Sequence, residues 1–242
     1  MTDIVYVLGY GSPWLNNELR YSLRSIEKHL RNYNRVFIVG VLPEFIIPDT
    51  VHHIPFDDTS ICKETNICRK ILQACATPTI SDPFLFFNDD HFLVHDFDAD
   101  MFPYFYKSDM ATPLQVLDRH NIYRQSVLRT ARYLHDNNLP TKYFDTHTPI
   151  LYHKDNFQQI MNAQDWSNRF GHVIKSLYCN SLGIQGVLEP DCKINYIDTE
   201  VNYRTIIDKR KVWSIGNLAL GPALTDTLQN LYPNPSRWEE KD

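Results

Sequence analysis

The chain has 242 residues, 43% of them hydrophobic and 13% aromatic, which suits one domain with a sizeable core. Its formal charge of −5, from 24 Lys and Arg against 29 Asp and Glu, argues against gripping nucleic acid by bulk electrostatics, although Arg119, Arg124, Arg129 and Arg132 fall close together. No apolar stretch approaches the roughly 18 residues that a membrane-spanning helix needs.

Met1-Thr2-Asp3-Ile4-Val5-Tyr6 has no basic region ahead of an apolar one, so it reads as the start of a strand and not as a signal peptide. Residues 3–9 predict that strand, ending in the loop Gly9-Tyr10-Gly11-Ser12-Pro13. Asn16 and Asn17 are cap candidates for an amphipathic helix carrying Leu19, Leu23, Ile26 and Leu30 at helical spacing. Residues 35–40 predict a second strand and residues 51–56 a short third. Ile61, Cys68, Ile71, Leu72 and Cys75 predict a helix over 61–76, and Phe84–Phe87 a buried strand. This alternation predicts an α/β fold with parallel strands. Further on, helices are expected over 125–138, 156–162 and 169–182, a strand over 191–197, and an irregular Pro-rich tail from Leu231. No repeat or linker divides the chain. It reads as one domain, 1–242, with halves 1–110 and 111–242. Five cysteines, Cys62, Cys68, Cys75, Cys179 and Cys192, fit no metal motif and predict free thiols in a reducing cytoplasm.

The run Phe84-Leu85-Phe86-Phe87-Asn88-Asp89-Asp90-His91-Phe92-Leu93-Val94 sets two carboxylates and an imidazole inside an apolar stretch. Burying an ionised carboxylate alone costs several kcal/mol or shifts its pKa until it neutralises. Asp89 and Asp90 are therefore expected at a strand end, where open α/β sheets bind ligands. Three readings compete. Carboxylates suit a hard divalent ion such as Mg²⁺ or Mn²⁺ completed by substrate phosphate. A general acid–base pair would need both groups on one side, yet neighbours on a strand point apart. The third reading is a capping turn rich in Asp and Asn.

The order strand, Gly loop, helix, strand, helix, apolar strand, acidic cluster resembles the nucleotide-sugar-binding half of a GT-A glycosyltransferase. Asn88-Asp89-Asp90 stands where that family carries Asp-x-Asp, after a helix with an early Asn, here Asn66. Asp3–Tyr6, Asn17–Lys28 and Phe84–Leu93 also resemble blocks of the Stealth sugar-phosphate transferases, and His147-Thr148-Pro149 with Lys154 is similar to a later block. The loop Gly9-Tyr10-Gly11-Ser12 departs from the Stealth pattern. Compact relatives look like phage-encoded sugar transferases, some of which modify DNA bases.

The resemblance implies a GT-A-like sheet with a mainly helical acceptor-side extension. It implies a nucleotide-diphosphate sugar as donor, Mn²⁺ or Mg²⁺ as cofactor, and a hydroxyl acceptor, either glycan or modified DNA. Asp90 is the expected metal ligand, with Asp89 and His91 as partners; Asp89 is alternatively a donor-sugar contact. Gly9 and Gly11 let the backbone approach the nucleotide, and Lys63 and Asn66 contact donor phosphate or sugar. Arg20 and Arg24, four apart on one helix face, are further phosphate candidates. Asp145 and His147 are the expected catalytic groups at the acceptor, with His172 behind them. Trp166, Trp213 and Tyr152 are candidates for stacking or core. The function expected is metal-dependent sugar transfer. The alternatives are hexose-1-phosphate transfer, glycosylation of hydroxymethylated DNA, and a non-catalytic sugar- or nucleotide-binding module.

Overall fold

The computed structural model describes residues 1–110, 121–195 and 203–240, the last without the side chains of 205 and 206. Arg119 and positions 196–197 of the expected last strand lie outside the described residues.

Strand β1, Thr2–Leu8, is buried along its whole length. Helix α1, Asn17–His29, follows, then a two-residue β2, Leu30–Arg31, and β3, Tyr33–Gly40. Strand β4 is His52–Ile54, helix α2 is Lys63–Ala76 and β5 is Phe84–Phe87. The apolar run does not continue as one strand. It turns at Asn88–Asp90 and restarts as β6, His91–Leu93. Short strands β7, Phe97–Asp98, and β8, Phe105–Tyr106, come next. The second half supplies α3, Ile122–Asp136; β9, Ile150–Tyr152; α4, Lys154–Asn162; and α5, Ile174–Ser181. After these come β10, Val187–Leu188; β11, Lys193–Ile194; α6, Tyr203–Ile207; β12, Val212–Ile215; and α7, Pro222–Leu231.

The main sheet has the order β4-β3-β1-β5-β9. Strands β4, β3, β1 and β5 are parallel, and β9 closes the edge antiparallel to β5. The period-2 alternation of β1 sends Ile4, Tyr6 and Leu8 to one face, against Leu19, Leu23 and Ile26 of α1. Val5 and Val7 go to the other, with Ile71 of α2, Val127 of α3 and Leu177 of α5. The result is an α/β/α sandwich in which each fully buried aliphatic side chain contributes about 1.5–3 kcal/mol. A second sheet, β11-β12-β6, packs Phe92 and Trp213 against α7.

Two local features depart from the expected pattern. Asn16 takes the N-cap position of α1, but with a left-handed backbone at φ +59° and no side-chain cap bond. Ser12 organises the loop ahead of it: the Ser12 Oγ accepts from the N–H groups of Trp14 and Asn16 at 3.2 and 3.0 Å and donates to Glu18 at 2.9 Å. The Pro-rich tail is irregular but firmly docked. Trp238 is buried, and Glu239 receives Arg20 and Arg24 of α1 at 3.0 and 2.7 Å. Those arginines therefore hold the tail instead of a phosphate.

Candidate functional site

From β1 the chain moves outward to β3 and β4, then returns through α2 to place β5 on the other flank of β1. Strand order reverses between β1 and β5, and open α/β sheets bind ligands outside the carboxyl ends at such a point. Gly9–Pro13 leaves the carboxyl end of β1, and Asn88–Asp90 leaves that of β5. A cavity of about 620 Å³ opens between them. Lys63 and Asn66 of α2 line it, as do Lys193, Asn195 and Gly216 from the second-sheet side.

Gly9 and Gly11 both belong to its wall. A Cβ on Gly9 would meet Asp58 Oδ2 at 2.7 Å. The bare glycine lets Asp58 close on the loop and pair with buried Lys70 at 2.5 Å. Lys70 Nζ also donates to the Leu8 carbonyl at 2.6 Å, tying the rim to the end of β1. Gly11 has φ +95°, the region that favours glycine. Asn66 is spent on the same rim: its Oδ1 accepts from Thr59 and Ser60 N–H, and its Nδ2 donates to the Ser60 carbonyl. It shapes the cavity, whereas exposed Lys63 at the start of α2 remains available to a ligand.

Asp90 Oδ2 accepts from Ser214 Oγ at 2.9 Å and lies 3.7 Å from Lys193 Nζ. Its neighbour is less well compensated. Burial first, then the charge of Asp90, pushes the Asp89 carboxyl up to about 7, against the pull of Lys63. Glu18 is also raised, chiefly by burial, with Asp90 adding to the shift. An under-compensated pair of adjacent carboxylates beside open space is a fitting donor set for Mg²⁺ or Mn²⁺. Among the described residues no group of three or more His, Cys, Asp or Glu side chains could hold a metal ion. An ion here would rest on Asp89, Asp90 and ligand oxygens.

His91 does not complete that set. It opens β6, is fully buried, packs on Phe87, and its Nδ1 accepts the Asn88 N–H at 3.2 Å. Burial, reinforced by Lys175, His147 and Lys193, holds its imidazole well below the ordinary range, so the ring is neutral. It lines neither this cavity nor its neighbour.

A second cavity, about 840 Å³, shares Lys63, Asn88, Asp90, Lys193 and Asn195 with the first. Asp145 and His147 line it, so the acidic turn and the distant Asp-Thr-His segment face adjoining spaces. Tyr123 Oη donates to Asp145 and sits 2.8 Å from Tyr143 Oη. Burial alone would raise the Asp145 carboxyl, but His147, Lys175 and Tyr123 outweigh it and hold it below the usual range. His147 Nδ1 is 2.8 Å from Asp191 Oδ1, and Lys107 Nζ is 2.6 Å from Asp191 Oδ2. Burial would raise Asp191 as well, yet His147 and Lys107 keep it far below the carboxylate range. Lys175 is buried, donates to the Thr148 carbonyl at 2.5 Å, and has its ammonium lowered by desolvation. Ile67, Ile71, Phe86 and Ile174 form an apolar wall.

Lys107, Lys175, Asp191 and Lys193 escape the sequence reading. One of them carries a signal: Lys175 interrupts the buried run Val173-Ile174-Lys175-Ser176-Leu177-Tyr178-Cys179, the same anomaly that marks Asp89. His172 lines neither cavity, although its neighbour Val173 lines the second. His172 is buried between Tyr133 and Trp166, and burial pushes its ring down to about 4. Trp213 and Tyr152 are fully buried, and Trp166 donates to the Met161 carbonyl. Arg124 and Arg132 are exposed on α3, while Arg129 is bound to the carbonyls of Phe170 and Asp165. All five cysteines are buried free thiols, and no helix among the described residues is long and apolar enough to cross a membrane. No protein-family model matches the chain, and no curated protein is significantly similar to it.

Proposed function

We propose that the chain is a metal-dependent, GT-A-like glycosyltransferase that moves a sugar from a nucleotide-diphosphate donor to a hydroxyl acceptor. The observation that carries this reading is the pairing of two adjoining cavities across Asp90. One is a switch-point crevice with a glycine loop and two adjacent carboxylates; the other holds Asp145 and His147. The first has the chemistry of a donor site. Gly9 to Ser12 supply close backbone approach, Lys63 a cation for phosphate, and Asp89 with Asp90 the ligands for Mn²⁺ or Mg²⁺. Such an ion, when bound, supplies charge neutralisation for the departing diphosphate. The second has the chemistry of an acceptor site, with an apolar wall to seat the molecule and titratable groups to orient its hydroxyl and take its proton.

Calorimetry with nucleoside diphosphates, with and without Mn²⁺, tests the donor half. Binding is expected only with the ion and is lost in Asp90→Asn. Tight metal-independent binding overturns the assignment. A screen of sugar nucleotides with Mn²⁺ then identifies the donor turned over and the nucleotide released. Turnover of no donor leaves the binding-module alternative standing.

The lysines of the second cavity, Lys107, Lys175 and Lys193, favour one alternative, hexose-1-phosphate transfer, because a phosphoryl group passing that way would meet cations. A released nucleoside monophosphate supports that reading and a diphosphate excludes it. Transfer to hydroxymethylated DNA has less support, since only Arg124 and Arg132 of the described arginine cluster stay exposed.

A further inference from the structure

Asp145 and His147 both face the acceptor cavity, but their surroundings differ. The geometry points to His147 Nε2 as the acceptor of the hydroxyl proton and to Asp191 as the positioning residue that fixes the imidazole tautomer. This inference rests on the transferase reading.

Asp145 already receives the Tyr123 hydroxyl and is depressed by the cations around it, which makes it a weak base. His147 is arranged in the opposite way. Its Nδ1 faces an Asp191 oxygen at 2.8 Å, so Nδ1 carries the proton and Nε2 keeps its lone pair. Nε2 has no hydrogen-bond partner among the described residues, and the residue lines the cavity. Asp191 is itself fixed from two sides, by Lys107 Nζ on Oδ2 and by the Lys193 N–H on Oδ1 at 3.1 Å. His147 also has φ +54°, an uncommon left-handed backbone for a residue with a side chain, and Cys192 Sγ donates to its carbonyl at 3.0 Å. A nucleophile's base oriented by a third group is a recurrent catalytic arrangement.

The acceptor oxygen bonds to the anomeric carbon while that carbon's bond to the diphosphate oxygen breaks. The electron pair of the broken bond leaves with the nucleotide, and the acceptor's proton passes to Nε2. Asp191 stabilises the imidazolium that results. The charged and titratable groups around the ring are Asp191, Asp145, Lys107, Lys175, Lys193 and buried His91.

Nitrogen-15 spectra of ring-labelled protein test the tautomer without any substrate. Wild-type His147 is expected as the Nδ1–H form. In Asp191→Asn the amide donates to Nδ1, so the ring is expected to move to the Nε2–H form. The variant's kcat should then fall roughly 100-fold or more, with KM nearly unchanged. Lys107→Met should produce a smaller loss in the same direction. His147→Gln should match Asp191→Asn, and the double variant should be no worse than either alone. A wild-type ring in the Nε2–H form overturns the inference. So does a folded Asp191→Asn with unchanged tautomer and kcat, or turnover that survives His147→Gln and dies in Asp145→Asn. The wild-type spectrum needs no variant to fold. Should it show Nδ1–H while no donor is turned over, the failure belongs to the transferase reading and not to the Asp191 contact.

Discussion

Asp89 carries a carboxylate charge that the fold tolerates poorly. Its carboxyl rises from an ordinary value near 4 to about 7, by burial and then by Asp90. Between those values the folded chain holds a proton that the unfolded chain has released, so this group stabilises at acid pH and its contribution falls as pH rises through the window. Glu18 acts with the same sign. Buried His91 and His172, whose pKa values are lowered, act with the opposite sign below their ordinary value. The informative quantity is therefore the difference between wild type and Asp89→Asn. Thermal unfolding of the metal-free proteins should show the variant gaining stability at pH 8 over pH 5, on the order of 1–3 kcal/mol. Mn²⁺ should stabilise wild type at pH 8 and leave the variant unmoved. Parallel pH profiles for the two proteins would mean that Asp89 is not under electrostatic load. Gly9 makes a separate case. Its added Cβ would press on the mobile end of Asp58, so Gly9→Ala should fold normally, loosen the Asp58–Lys70 pair and weaken nucleotide binding about tenfold, or ~1.4 kcal/mol. Calorimetry checks it, and unchanged affinity would place the nucleotide away from this loop.

Helix α1 illustrates what element-level patterns convey. Its apolar stripe, Leu19, Leu23 and Ile26, is legible at helical spacing and does pack on β1. The role of Arg20 and Arg24 is not legible, because their partner lies more than 200 residues away: Arg24 and Glu239 are separated by 215 positions. That pair has the fork geometry of guanidinium on carboxylate, with bonds of 2.7 and 2.9 Å, and the Glu239 side chain is fully buried. Removing one partner of a buried pair strands the other's charge. Glu239→Gln should therefore cost about 3 kcal/mol in urea unfolding and leave nucleotide affinity intact. A loss below about 1 kcal/mol would class the pair with exposed salt bridges. The end of β5 was legible, because Asn88, Asp89 and Asp90 interrupt the apolar run after Phe87. The restart as β6 was hidden, and only pairing shows that β5 belongs to the main sheet while β6 pairs with β12. Strands as short as Ile150–Tyr152 and Val212–Ile215 carry too few residues for a period to register.

At the scale of the whole molecule, the first half of the chain announces the sheet and the acidic turn, and the second half completes both. The switch-point crevice was legible because its parts, Gly9, Gly11, Asp89 and Asp90, follow strands that sequence pattern identifies. The far wall was not. Lys193, Asn195 and Gly216 reach it through a second sheet whose pairing is entirely long-range. The same dependence governs folding. Strand β9 covers the edge of β5 through Phe84↔Tyr152 and Phe86↔Ile150, and Val127, Phe157, Ile174 and Leu177 cover the sheet face that Val5, Val7 and Phe86 present. A fragment of residues 1–110 would leave an unpaired, apolar strand edge and an uncovered sheet face, the conditions for edge-to-edge association. Expressed alone, it should aggregate or lack a cooperative thermal transition, and it should bind no nucleoside diphosphate with Mn²⁺ present. The full chain should unfold in one transition that Mn²⁺ and nucleotide together move upward. Gel filtration, near-ultraviolet circular dichroism and calorimetry on both species check this. A monomeric, cooperatively folded 1–110 that binds nucleotide would show that the nucleotide half is an autonomous domain, and that the lysine and asparagine side chains from the second sheet are dispensable for holding the donor.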